Sequence, residues 1–222
     1  MEITPLRVPD SFLIVPRQLR DERGCFYESF SYEALAAVGH PRPLAQVNYS
    51  VSRRGVVRGI HGVLLPPGQA KVVSCPRGAV RDFVVDLRLG SPTFGRYDTT
   101  CLDAESGRSV YIAEGLGHGF VALTDDTLVS YLCSSGYVPG TQLDINPFDS
   151  SLALPWDVAG EPIVSAKDAA APTVEEATRA GLLATYEECQ ELYEQFARED
   201  RSASNGSPTA PPTIGPSAAA AP

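Results

Sequence analysis

The sequence lacks any long apolar run. No stretch of 18 or more apolar residues occurs among its 222 residues, whereas a membrane-spanning helix needs about 20. The first five residues, Met1 to Pro5, also lack the basic and then apolar layout of a secretion signal. These two absences predict a cytoplasmic protein without a membrane partner.

Paired cysteines are missing as well. The five cysteines are odd in number, widely spaced and without a C-x-x-C pair. Such spacing predicts neither a disulfide framework nor a zinc knuckle, and it favours buried free thiols.

Basic residues are fewer than acidic ones, with 18 lysines and arginines against 27 aspartates and glutamates. The formal charge is −9, which argues against nonspecific nucleic-acid binding because that affinity comes largely from neutralising phosphates. The basic residues that are present cluster locally, with Arg53, Arg54, Arg58 and Lys71 close together in the chain. An anionic small molecule therefore remains a candidate ligand.

Helix periodicity is nearly absent between residues 12 and 133. Short apolar segments separated by turn residues fill this region instead, which is typical of a β-sandwich or β-barrel. A helical turn is predicted at 31–38. The predicted strands are 44–51, 56–61, 70–75, 79–87, 96–102, 109–113, 118–123 and 127–133.

Helix signals return after Pro172. Segments 173–176 and 185–188 each resemble a capping box, and an apolar stripe follows at three- and four-residue spacing. We expect a barrel domain at 1–172 and helices at 173–200 that pack on the barrel or on a partner subunit. The Ser/Pro/Ala/Gly-rich segment 202–222 is expected to be disordered.

Histidine is rare, and its placement argues against a metal site. The three histidines, His40, His61 and His118, form no H-x-H or H-x-x-x-H pattern. His40 has the sequence context of a surface turn. His61 lies on a predicted strand, where proton transfer is the obvious task for an imidazole without a metal.

A histidine base needs an orienting partner, and Asp82 is the candidate. It interrupts a Val/Phe/Leu strand, and a buried carboxylate is costly unless it is paired. The competing interpretation is that Asp82 and Asp86 face solvent on a half-exposed strand. His118 could lie near a barrel mouth, or its imidazole could form hydrogen bonds with the backbone of a tight turn. Tyr131 could be an ordinary aromatic residue of a strand.

Seven segments, taken in order, resemble the dTDP-4-dehydrorhamnose 3,5-epimerase family. They are 21–28, 46–50, 58–61 with 67–71, 90–95, 117–120, Tyr131 and 165–168. The resemblance implies an all-β fold, a cupin-type jelly-roll barrel with short C-terminal helices. It also implies a homodimer that can exchange N-terminal strands, a nucleotide-sugar substrate, and no metal or organic cofactor.

The resemblance also implies roles for individual residues. His61 matches the general base, Asp82 its carboxylate partner, Tyr131 the acid on the opposite face of the sugar, and Lys71 the cation near the C4 oxygen. The matching substrate-binding positions are Arg23, Phe26, Glu28, Gln46, Asn48, Arg58, His118, Tyr137, Gln142 and Lys167.

Two departures from the family pattern bear on the substrate. Gly62 follows His61 where most relatives carry an aromatic residue, and Gln142 stands where many have Glu. We expect Gly62 to open space or add flexibility near the sugar. The sequence leaves open epimerisation at C3, C5 or both, a 3,4-ketoisomerase, and a non-catalytic nucleotide-sugar-binding barrel.

Overall fold

The computed structural model describes residues 1–205, which form thirteen strands and four helices. The helices are α1 (Tyr32–Ala37), α2 (Ala166–Ala169), α3 (Val174–Arg179) and α4 (Tyr186–Asn205). The strands are β1 (Glu2–Pro5), β2 (Ser11–Val15), β3 (Leu19–Asp21), β4 (Gly24–Phe26), β5 (Gln46–Ser52), β6 (Val57–Val63), β7 (Lys71–Arg77), β8 (Ala79–Asp86), β9 (Tyr97–Asp103), β10 (Ser109–Ile112), β11 (Leu116–Ala122), β12 (Thr127–Cys133) and β13 (Gln142–Asp144).

Two antiparallel sheets form a jelly roll. One has six strands in the order β1-β2-β10-β7-β12-β5, and the other has five in the order β13-β6-β11-β8-β9. A separate hairpin pairs β3 with β4. The predicted all-β barrel with short C-terminal helices is confirmed, and each of the eight strands predicted from periodicity overlaps an observed one.

Both faces of the five-stranded sheet are covered. Val80 and Val84 of β8 point into the core between the sheets. Phe83 and Val85 point into a second apolar cluster, which the loop around Trp156 and helix α3 cover. The solvent-facing interpretation of β8 is therefore wrong, because Asp82 and Asp86 are 1% and 0% exposed.

The short strands β1 to β4 and β13 were not predicted. Each has five residues or fewer, too few to show a period of two. Their pairing partners, such as β10 for β2 and β6 for β13, lie far away in the sequence.

The C-terminal helices begin where the capping patterns predict. Thr173 and Glu176 cap α3 reciprocally, and Thr185 and Glu188 make the same contacts before α4. Helix α4 runs on to Asn205, so the prediction that disorder starts at 202 is wrong for 202–205. The rest of that predicted tail, 206–222, lies outside the described residues.

Helix α4 packs against the barrel through its apolar stripe. Cys189 and Tyr193 are buried in the main core, and the Tyr193 hydroxyl donates to the carbonyl of Glu114. His40 packs against Tyr193 and is only 6% exposed. Its prediction as a surface turn is wrong because α4 covers it.

No helix within residues 1–205 is long and apolar enough to cross a membrane. All five cysteines are free thiols, three of them buried and two, Cys25 and Cys101, exposed.

Candidate active site

A cavity of about 220 Å³ opens between the two sheets. Strands β5 and β7 of the six-stranded sheet form one wall, and β6 and β13 form the facing wall. Most of its side chains are polar and can form hydrogen bonds with a ligand. It is lined by Gln46, Asn48, His61, Gly62, Val63, Gln69, Lys71, Gly136, Tyr137, Val138, Thr141, Gln142, Asp144 and Lys167.

His61 projects from β6 into this cavity and is held by Asp168. The Asp168 Oδ1 atom lies 2.9 Å from His61 Nε2. Burial raises the pKa of Asp168, but the hydrogen bond and charge of His61 outweigh this effect, with help from the backbone of Gly59 and from Ser165. The pKa of Asp168 therefore lies below its usual value. The ionised carboxylate of Asp168 accepts a hydrogen bond from the imidazole of His61.

The sequence-based pairing of His61 with Asp82 is wrong. Asp82 lies on β8, and β11 separates that strand from β6 in the sheet. His118 of β11 is therefore the histidine within reach, and its Nε2 lies 2.6 Å from Asp82 Oδ2. The side chains of His118 and Asp82 are 4% and 1% exposed, so they form a buried pair beside the cavity.

Tyr131 lies on the opposite sheet from His61. It projects from β12, and its hydroxyl lies 3.1 Å from Ser50 Oγ. Its ring meets that of His118 edge to face, with centroids 6.0 Å apart, and His118 is the cross-strand neighbour of His61. Burial raises the pKa of Tyr131 to about 12, so the hydroxyl keeps its proton at neutral pH.

Lys71, the first residue of β7, lines the same cavity. Burial lowers the pKa of its ammonium, while Cys133 and Asp144 partly oppose that shift. A cation held with little water around it interacts strongly with any negative charge that develops nearby.

The composition of the site also permits a cation. Ligand atoms of His61, Asp144 and Asp168 all lie within 4.8 Å of one another, and one imidazole with two carboxylates is a set that divalent metals accept. These groups are already engaged, because Asp168 accepts from His61 and Asp144 accepts from Lys167. A metal would have to displace both contacts, and metal-free proton transfer stays a prediction.

Comparison with known proteins gives the family. Residues 5–176 match the family model described as dTDP-4-dehydrorhamnose 3,5-epimerase. The chain belongs to the dTDP-4-dehydrorhamnose 3,5-epimerase family. A dTDP-4-dehydrorhamnose 3-epimerase of Streptomyces niveus is 49% identical over 191 residues, which cover 86% of this chain and 92% of that protein.

Two solved structures of the family superpose closely on this chain. NovW, a 4-keto-6-deoxy sugar epimerase from the novobiocin biosynthetic gene cluster of Streptomyces spheroides, is 48% identical with a TM-score of 0.82, covering 85% of this chain and 95% of its own. ChmJ, a 3'-monoepimerase from Streptomyces bikiniensis in complex with dTDP-quinovose, is 46% identical with a TM-score of 0.83, covering 88% and 99%.

The structure brings most of the residues matched to the family pattern to one place. Those that line the cavity are His61, Lys71, Gln46, Asn48, Tyr137, Gln142 and Lys167. Tyr131, His118 and Asp82 lie beside it. Arg58 is turned toward β5, where it donates to Ser52 Oγ and to the carbonyl of Val51.

Three predicted substrate-binding residues lie elsewhere in the monomer. Arg23, Phe26 and Glu28 sit on or just after the β3–β4 hairpin, are exposed, and do not line the cavity. Arg23 pairs with Asp21 of its own hairpin. The prediction is wrong for a single copy of the chain, because this hairpin pairs only with itself.

Gly62 lines the cavity next to His61 in β6. A Cβ at this position would lie 3.4 Å from the Leu116 carbonyl oxygen and from Leu143 Cδ2. Neither leucine lines the cavity, so a side chain at this position would point away from it, whereas Gly62 itself does line the cavity. That Gly62 opens space or adds flexibility near the sugar stays a prediction.

Sequence reasoning missed Asp168, Asp144 and Gln69. Asp168 directly follows Lys167 in a segment that carried the family resemblance, and Ser165 caps the short helix that presents it. Its distance of 107 residues from His61 left no sequence pattern to connect the two. Apart from their polar side chains, nothing in the sequence marks Asp144 and Gln69 as site residues.

Proposed function

We propose that the protein is an epimerase of a dTDP-4-keto-6-deoxyhexose, which inverts C3, C5 or both by removing a proton beside the C4 ketone and returning one from the opposite face. The observation that carries this proposal is that His61, bonded to Asp168 of α2, lies on one sheet and Tyr131 lies on the facing sheet. Lys71 lies in the same cavity.

His61 takes the proton. With Asp168 accepting from its Nε2–H, the imidazole leaves Nδ1 unprotonated and able to act as a base. The negative charge of Asp168 then stabilises the imidazolium that forms. A carboxylate that is held below its usual pKa stays ionised throughout this step.

Lys71 stabilises the intermediate. Removing a C–H proton beside a ketone moves charge onto the carbonyl oxygen, and this enolate is unstable without a nearby positive group. The Lys71 side chain is half-buried and lines the cavity. It can therefore hold the oxygen more strongly in the enolate than in the ketone, which lowers the barrier.

Tyr131 returns a proton from the other side. A single base that gave its proton back would regenerate the starting configuration, so inversion needs an acid on the opposite face. The Tyr131 hydroxyl is protonated, since burial raises its pKa to about 12. Its position on the sheet facing His61 matches this requirement.

A 3,4-ketoisomerase and a non-catalytic binding protein are the alternatives. An isomerase that returns the proton to a neighbouring carbon has less need of an acid across the sugar, and a binding protein needs neither an acid nor a base. The presence of both His61 and Tyr131 beside one cavity favours the epimerase.

Incubation with dTDP-4-keto-6-deoxyglucose, followed by NMR of the product, tests the proposal. We expect inverted configuration at C3, C5 or both with the carbonyl still at C4. A product with its carbonyl at C3 would establish the isomerase instead. Tight binding without any change in the sugar would establish the binding protein.

A homodimer would complete the site. Strand β5 is an edge strand whose outer face exposes Val47, Tyr49 and Val51 by 47%, 65% and 53%. Phe26 on the β3–β4 hairpin is 72% exposed. An apolar edge of this kind is a hazard unless another chain covers it. We propose that a second copy docks here and that its hairpin supplies Arg23, Phe26 and Glu28 to this cavity.

Tyr49→Asp tests the dimer. We expect the wild-type chain to sediment at twice its monomer mass, and Tyr49→Asp to shift it to the monomer because a charge on this apolar face opposes burial. Leu182→Asp is the matched control, since Leu182 is an exposed apolar residue away from β5. A wild-type monomer with full activity would contradict the proposal.

We further propose a cytoplasmic role in deoxysugar biosynthesis, supplying an L-rhamnose-like or antibiotic sugar. All five cysteines are free, which suits a reducing compartment. The similarity to NovW supports the antibiotic-sugar branch.

A further inference from the structure

Asp144 is a second carboxylate beside the candidate base. It is the last residue of β13 and pairs directly opposite His61 across the β13–β6 ladder. Its Oδ1 lies 3.8 Å from His61 Nε2, and its side chain is 19% exposed. Lys167 Nζ lies 3.0 Å from Oδ1 and 2.9 Å from Oδ2. The Asp144 side chain lines the cavity.

A carboxylate at this position repels the negatively charged parts of the proposed ligand. It repels the diphosphate of a nucleotide sugar, and it lies close enough to Lys71 to affect the pKa of that ammonium. This effect raises the pKa of Lys71 and helps to keep its ammonium charged, but the negative charge of Asp144 also repels an enolate oxygen that forms beside Lys71. Lys167 offsets part of this charge from the open side, where the lysine side chain is 63% exposed.

Asp144 can compensate by accepting a hydrogen bond from the substrate. An ionised carboxylate only accepts, and it has about four lone-pair positions, of which Lys167 uses part. The ketone oxygen and the C6 methyl group of a 4-keto-6-deoxyhexose cannot donate. The ring hydroxyls at C2 and C3 can, and a hydroxyl bonded to a charged acceptor gives one of the stronger hydrogen bonds.

We propose that Asp144 accepts a hydrogen bond from the C2 hydroxyl of the sugar and selects substrates that carry this hydroxyl over their 2-deoxy counterparts. The inference rests on the proposed function. The C2 hydroxyl is the better candidate because C3 is one of the two centres that the proposed reaction can invert, which would move the C3 hydroxyl, whereas C2 is not a reacting centre. A contact at C2 holds the ring through the whole reaction.

Calorimetry with two unreactive ligands tests the proposal without relying on turnover. The ligands are dTDP-6-deoxyglucose and its 2-deoxy analogue, which have no ketone. We expect the wild type to bind the hydroxylated ligand about ten- to a hundredfold more tightly, the range for a hydrogen bond to a charged group. Asp144→Ala should bring the ratio of the two dissociation constants close to one.

Two variants separate this role from a structural one. Asp144→Asn keeps the shape and an acceptor oxygen but loses the charge, so an intermediate ratio is expected. Lys167→Gln removes the partner of Asp144, and it should weaken both ligands alike while keeping the wild-type ratio. A melting temperature for each variant shows that it is folded.

The outcomes distinguish the two proposals. Equal ratios in the wild type and Asp144→Ala, with both ligands binding, would overturn the inference and leave the epimerase standing. Loss of the preference in Lys167→Gln but not in Asp144→Ala would overturn it too. If the wild type bound neither nucleotide sugar, both the inference and the proposed function would fail.

Discussion

Alanine in place of His61 is expected to lower kcat/KM for epimerisation by about 10⁴-fold, the upper end of the usual contribution of a positioned general base. The loss should be the largest of any single substitution in the site, because every proton abstraction depends on this imidazole. Asp144, Lys71 and Tyr131 cannot replace it, since none of them combines a free basic nitrogen with a charged partner at 2.9 Å.

Binding provides the control for this variant. The dissociation constant for an unreactive dTDP-hexose should change only a few-fold in His61→Ala, which places the defect in the chemical step. His118→Asn is the matched histidine variant, because His118 also has a carboxylate partner but does not line the cavity. A greater loss of kcat in His118→Asn than in His61→Ala would reverse the assignment of the base.

Asp168→Asn should lower kcat by about 10³- to 10⁴-fold, the scale seen when a catalytic histidine loses its orienting carboxylate. An amide can donate to Nε2 of His61, which would then carry no hydrogen. The imidazole would be protonated at Nδ1 and could no longer accept a proton there. The substitution thus leaves the histidine in place but gives it the wrong tautomer.

Asp82→Asn is the paired test, because the sequence and the structure disagree on which carboxylate serves His61. Asp82 contacts His118, so its variant should retain at least about tenfold more activity than Asp168→Asn. Steady-state rates of the two variants, with melting temperatures to exclude unfolding, give the comparison. The reverse order of activities would restore the pairing of His61 with Asp82.

The fold was largely predictable because its signals are local. Short apolar segments such as 79–87 and the turns between them predict a β-barrel, and the capping pattern at Thr173 predicts a helix start that the structure confirms. The position of each strand within a sheet was not predictable. The order β6-β11-β8 decides that His118, and not His61, reaches Asp82.

Only those residues of the candidate site that lie on strands could be predicted from the sequence. His61, Lys71 and Tyr131 lie on strands that the sequence predicts, so their side-chain directions follow from the period of two. Asp168 reaches the site on a four-residue helix after a long connection, and no periodic pattern precedes it. The sequence likewise could not show that the β3–β4 hairpin lies away from the cavity of its own chain.

Deuterium exchange in Tyr131→Phe tests the central claim that the proton leaves from the His61 side and returns from the Tyr131 side. The variant keeps the ring and its packing against His118 but removes the hydroxyl. The substrate, dTDP-4-keto-6-deoxyglucose, would be incubated in deuterated water, and NMR would follow deuterium and configuration at C3 and C5 separately. We predict that deuterium still enters with retained configuration while inversion slows by at least about a hundredfold. Exchange and inversion falling together by the same factor would contradict the division of labour between His61 and Tyr131.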